Sequence, residues 1–421
     1  MSITSYPELV RLSSTGNGNV VALGGTNVDA FGRLRTASPF TLFDSQNRFA
    51  IDPQFDTSTT GSGATSHLAN ESSVQMSVTT ASGDEVIRES KRVFPYQPGK
   101  SLLVMATFVF AAQQENLRQR VGYFGANDGV YFEQNGTDVR FVVRTSTSGS
   151  ADDTRYVAQS SWNTDKLDGT GPSGYTLDVT TTPSAQILFM DFEWLGVGTV
   201  RCGFVIDGQF IVCHKFHNAN TLDKVYMKTA ILPLRYEITA TGTLSSSADM
   251  KQICSTVISE GGYNQPRREL DAQRTTTLTG ITNTLIPLVS IRLNASSLDA
   301  VVIPQGVKVF PLTAQDYKVQ LVRNATLTGA SYNTTTFDNV DFDTAATAMT
   351  GGDIIQVDYI TNTVQAAGGI AATTGYNFAN QLGRTIAGTS DVITIGIQTI
   401  TATPTGSARA SLMFYDLTNG A

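Results

Sequence analysis

The stretch Thr199 to Phe216, TVRCGFVIDGQFIVCHKF, places Asp207-Gly208 between two apolar runs. A type I′ turn needs positive φ at both central residues, and Asp-Gly supplies it, so the segment reads as a two-residue β-hairpin. That loop sets Ile206 opposite Gln209, Val205 opposite Phe210 and Phe204 opposite Ile211. Counting on, Cys202 faces Cys213 and Arg201 faces His214. One face then carries Cys202, Phe204, Ile206, Ile211 and Cys213; the other carries Gly203, Val205, Phe210, Val212 and Phe216. Both faces are apolar, so both call for cover. A second sheet supplies one. A loop, another domain or another subunit must supply the other. In this register the two cysteines form a hydrogen-bonded pair, where side chains lie farther apart than at the alternate sites. They read as reduced, packed thiols. With Cys254 the chain has three cysteines, which cannot build a disulfide framework.

Runs of Val, Ile, Thr, Phe and Tyr broken by Gly, Asn, Asp and Pro recur along the whole chain. Val74–Thr79, Leu102–Phe110, Val139–Arg144, Gln186–Phe192, Val200–Ile206 and Ile354–Ile360 are examples. This predicts an all-β protein of many short strands. Helical turns are expected at most over Ala112–Arg120 and Asn377–Leu382. Charged residues make up only 15%, which excludes a Glu/Lys-rich coiled coil. A net charge of -7 gives no excess of cations to release counterions, so nucleic acid is not an expected partner. The longest apolar run, Leu102 to Ala112, is too short to span a membrane, and no membrane insertion is expected. The start, MSITSYPELVRLSSTGNG, shows no basic region followed by an apolar run, and synthesis in a cytoplasm is expected.

At 421 residues the chain exceeds one ordinary core. Composition divides it into an N-terminal arm (1–65) with a denser island at Asp29–Gln46, a jelly-roll-like β-sandwich (66–258), a polar linker (259–280) and a C-terminal β-sandwich (281–421). The island alternates Phe31, Leu34, Phe40, Leu42 and Phe43 with Arg33 and Arg35. Such a segment buries little by itself and is expected to add to a neighbouring surface.

Catalytic signatures are weak. Asp191 and Glu193 share one face of an expected strand, as paired carboxylates of a glycosidase would. A third acid in the alternating series is missing, because residues 189 and 195 are Phe and Leu. An ion pair, with Arg201 for instance, is the plainer reading. His214 and His217 lie three apart, so on a strand their rings diverge and make no metal site. Asp338, Asp341 and Asp343 do not follow the calcium-loop spacing. The turn Asn163–Pro172 is rich in oxygen ligands but is expected to order itself through side chain–backbone bonds. Gly122–Gly129 is turn chemistry, with Asn127-Asp128-Gly129 closing a hairpin. No enzyme activity, cofactor or metal is expected.

Several stretches together resemble structural proteins of tailed bacteriophages. They are the island Asp29-Ala-Phe-Gly-Arg-Leu-Arg-Thr-Ala-Ser-Pro-Phe-Thr-Leu-Phe-Asp-Ser45, the run from Gly129 through Arg140-Phe-Val-Val-Arg, Trp162-Asn-Thr-Asp-Lys-Leu-Asp-Gly, Asp191 to Phe204, and Leu232-Pro-Leu-Arg-Tyr-Glu237. The likeness covers most of residues 29–258 and thins beyond 280. It implies a virion component, on the tail, baseplate or fibre, or as a head decoration or cement protein. It also implies other virion proteins and further copies of the chain as partners, a trimer first. The middle domain is similar to lectin-like jelly rolls, which makes a host surface glycan a further partner, contacted by Trp162, Tyr175 or Trp194.

Overall fold

The computed structural model describes residues 38–264, 268–361, 370–373 and 378–418. The chain is nearly all β, as expected; the described helical turns are the 3₁₀ turns Gln159–Ser161 and Phe378–Asn380. Ala112–Arg120 is a loop that leads into a strand.

Seventeen strands build the first unit among the described residues: β1 (Phe40–Gln46), β2 (Phe55–Thr60), β3 (Ala64–Leu68), β4 (Ser73–Val78), β5 (Glu85–Ser90), β6 (Phe94–Pro95), β7 (Leu102–Val109), β8 (Leu117–Phe124), β9 (Gly129–Asn135), β10 (Asp138–Thr145), β11 (Asp152–Ala158), β12 (Gln186–Phe192), β13 (Val200–Ile206), β14 (Gln209–Phe216), β15 (Ile231–Leu232), β16 (Leu234–Ala240) and β17 (Ala248–Ser259). One sheet runs β14-β13-β12-β7-β17-β4-β3, with β1 also paired to β17. The other runs β11-β10-β9-β8-β16-β5-β2. Alternation along the strands directs Phe108, Phe132, Phe141 and Phe204 between the sheets, where they form one core.

The island does not project whole. Leu42 and Phe43 are buried in this core, and Phe43 packs on Phe94 with centroids 4.9 Å apart. A bulge between Thr41 and Phe43 lets two consecutive side chains face inward. Phe40 lies at the margin, 6.1 Å from the Tyr263 ring. Residues 40–65, read from sequence as arm, therefore belong to the sandwich: β1 and β3 join the first sheet and β2 the second. Phe31, Arg33, Leu34 and Arg35 lie outside the described residues.

Eleven described strands form the second unit: β18 (Arg268–Ile281), β19 (Ile286–Leu293), β20 (Val302–Pro311), β21 (Asp316–Arg323), β22 (Thr326–Thr328), β23 (Val340–Asp343), β24 (Ala348–Thr350), β25 (Asp353–Thr361), β26 (Ile370–Thr373), β27 (Val392–Thr399) and β28 (Gly406–Asp416). Sheets β18-β28-β20-β26 and β23-β19-β27-β21-β25 enclose a second core. The expected linker is thus mostly strand: β18 runs for 14 residues along the edge of its sheet. Its polar residues face water on an edge, while its many threonines suit a pleated backbone.

The two units touch. Arg384 reaches Glu89 (2.6 Å) and Asp299 (2.8 Å), Gln381 Nε2 donates to the Val93 carbonyl, and Ile386 N–H donates to Asp56. Val301, Ile303 and Leu417 pack into the first core.

Candidate functional site: an uncovered apolar face

The Asp207-Gly208 hairpin forms with the expected first four pairs, Ile206–Gln209 to Gly203–Val212, and both turn residues have positive φ. Then the register slips. Cys202 pairs with His214 and Arg201 with Lys215, leaving Cys213 as the extra residue of a bulge. The facing-cysteine expectation is corrected accordingly. A one-residue slip exchanges faces, so Phe216 enters the core instead of the outer face. Both thiols are free and buried in the core, and burial pushes the Cys202 thiol well up.

The hairpin's outer face finds no cover among the described residues. Val205 and Val212 are half-buried, and Phe210 is 55% exposed. Its ring meets Phe189 edge-on at 5.0 Å, across the space left by Gly203. The apolar strip continues over Ile187 (39% exposed) to Met105. These residues line a groove of about 660 Å³ whose far wall is Asp44 to Arg48. That wall is well held. Asn47 Nδ2 donates to the Ile253 carbonyl, Asn47 Oδ1 accepts from Asp52 N–H, and Ser45 bonds the Asp52 carboxylate. Cys254 lies in the floor beside Thr107, with Sγ 3.4 Å from Oγ1. Sequence reading found Val205 and Phe210 but missed Met105 and Ile187. The signal was present: Leu102–Phe110 is apolar at both parities, and its strand alternates buried with half-exposed residues.

A second depression, about 400 Å³, lies between Lys100, Asp191, Glu193 and Arg201. Asp191 is ion-paired with Arg201 and accepts a hydrogen bond from Ser101. Its carboxylate is thus occupied, as the plainer reading expected. Glu193 is exposed just beyond the strand and accepts from Thr199 N–H at 3.4 Å.

The other candidates are held by local bonds. Asp165 accepts from the Leu167 and Ser173 amides. Asp343 accepts from the Ser331, Ala345 and Ala346 amides, and Asp341 binds Arg292 and Asn294. His214 accepts from Asn163 N–H, and burial, aided by His217 and Arg155, lowers its pKa to about 4. No group of three potential metal ligands comes together among the described residues.

The three aromatics named for glycan contact lie apart from the groove. Trp162 is 3% exposed and packs on Phe141 at 4.7 Å, because the 3₁₀ turn Gln159–Ser161 that precedes it turns the ring into the core. It offers no ring to a ligand, which corrects that expectation. Trp194 is half-buried, with Nε1 donating to the Met227 carbonyl. Tyr175 is half-buried and donates its hydroxyl to Asp207 at the hairpin turn.

No family model matches the chain, and no curated protein matches it in sequence. Among solved structures it is similar to the CBM2 module of the evolved Dit protein of Lactobacillus casei BL23 phage J-1, at 7% identity and a TM-score of 0.35, covering 54% of this chain and 99% of that one. It is also similar to the Emp47p carbohydrate recognition domain, at 9% identity and a TM-score of 0.33, covering 53% and 97%. The Crh5 transglycosylase shows 15% identity and a TM-score of 0.32, covering 54% and 86%. At these scores no property of the neighbours is carried over to this chain.

Proposed function

We propose that this chain is a structural and assembly protein of a tailed-phage virion, placed on the tail, baseplate or fibre. In this reading it joins other copies, a trimer first, and other virion proteins, and it carries out no catalysis. One observation supports the reading above the rest: the outer face over Met105, Ile187, Val205 and Phe210 finds no cover among the described residues. Contiguous apolar patches of this kind mark interaction surfaces. The N-terminal segment with Phe31, Arg33, Leu34 and Arg35 leads into β1, whose end forms the groove wall, so segment and groove supply two docking elements. Contact with a host glycan is compatible with the same role.

Phe210→Glu tests it. A charge on an exposed ring position leaves the sandwich folded but opposes burial against a partner. The expected result is a lower solution mass and loss of incorporation into particles, with an unchanged unfolding midpoint. A wild-type chain that is monomeric at all concentrations and absent from purified particles would refute the reading.

A further inference from the structure

The second unit carries a surface of different chemistry. On the outer face of its four-stranded sheet Lys308 pairs with Ser411, and Ser411 with Gln273; one row along, Phe310 pairs with Arg409. Lys308 and Arg409 are therefore diagonal neighbours on adjacent strands, about 7–8 Å apart between Cα atoms. Both are exposed, and among the described residues neither has an acidic partner. Arg409 Nε donates to Thr277 Oγ1 at 3.1 Å, which fixes the guanidinium. Phe310 directly opposite it is 40% exposed. These side chains, with Thr275 and Asp271, line a groove of about 540 Å³ that Arg274 also borders; the Arg274 guanidinium donates to the Leu288 and Thr344 carbonyls, which leaves two cations, Lys308 and Arg409, against one acid. Two uncompensated cations side by side on a sheet repel, in a chain whose net charge is -7.

We infer that this groove binds an acidic saccharide. A carboxylate seated between Lys308 and Arg409 relieves the repulsion and gains charge-assisted hydrogen bonds. The ring next to it presents C–H groups to the exposed Phe310 face, and its hydroxyls meet Gln273, Thr275 and Ser411. The volume falls in the range of small-ligand sites, roughly 300–1,000 Å³. A plain anion would use the cations but not the aromatic ring, and a neutral sugar the reverse; the pairing of the two selects an acidic sugar. This site lies outside the first unit and is independent of the docking face.

Calorimetric titration of the full chain with tetragalacturonate, maltotetraose and tetraglutamate tests the inference. Expected are binding of tetragalacturonate that weakens with salt, a loss of about tenfold or more in a Lys308→Gln, Arg409→Gln double variant, and a loss in Phe310→Ala, with unfolding midpoints unchanged. No binding of tetragalacturonate, equal binding of maltotetraose or tetraglutamate, or full affinity in Phe310→Ala would each overturn it. Phe210→Glu leaves this binding intact, so the docking face and this site fail separately.

Discussion

Glu237 shows how far a charge is enclosed here. It is 1% exposed, and its carboxylate pairs with Arg120 and with Arg235 (2.7 Å). Burial by itself raises its pKa, but Arg120 and Arg235 outweigh that and hold it at about 2. A carboxylate depressed in the fold contributes stability that is present above its unfolded value and lost as pH falls toward the folded one. Glu237→Gln should lower stability by roughly 3–5 kcal/mol at pH 7, since it leaves buried guanidinium groups without their counter-charge. In urea unfolding the gap between variant and wild type should close as pH drops from about 4.3 toward 2. Alternation alone assigns Arg235 and Glu237 to a solvent face, so sequence reading could not see this cluster. What hides it is Arg120 lying over the Phe124 and Tyr131 rings and Arg235 over Phe124, at 5.4 Å each. Alternation says which side of a sheet a residue takes. It does not say that arginine stems will roof that side.

The hairpin shows the same division at the level of elements. Its turn, its first four pairs and its two apolar faces were legible because Asp-Gly chemistry is local. The bulge at Cys213 was not, because its cause lies outside the hairpin: Thr164 and Asp165 both donate to the Cys213 carbonyl. The linker expectation failed for a related reason. Polar residues on β18 read as loop, while its pairing partner β28 lies over a hundred residues away. Gly203 is where the hairpin tolerates no change. A Cβ there would meet the Ile211 carbonyl oxygen at 2.0 Å and the Phe189 ring at 2.8 Å. Gly203→Ala should cost about 1–3 kcal/mol or more, read as a lowered thermal midpoint, and it should displace Phe210 and so weaken assembly as well.

For the molecule as a whole, the all-β class and two sandwiches were readable from composition and turn residues, but the seam between the sandwiches was not. Arg384 bridges Glu89 of the first unit and Asp299 of the second, and Glu89 is also held by Arg235. Arg384→Ala should leave each core folded and uncouple them. In calorimetry, one endotherm should resolve into two, and protease should gain access near the Ile386 contact. A single unchanged endotherm would show that the apolar contact through Val301, Ile303 and Leu417 suffices.

The pairing of β1 with β17 has a mechanical corollary. Phe40 sits opposite Ser259, the residue at which the first unit ends. Opposed pulls on the chain's leading segment and on its second unit therefore enter this antiparallel pair at one end. The ladder opens bond by bond, like a zip, instead of resisting all at once in shear. Once the contacts between the units have given way, tension along that line peels β1 from β17 and bares the edge of β17 to a strand from a neighbouring molecule.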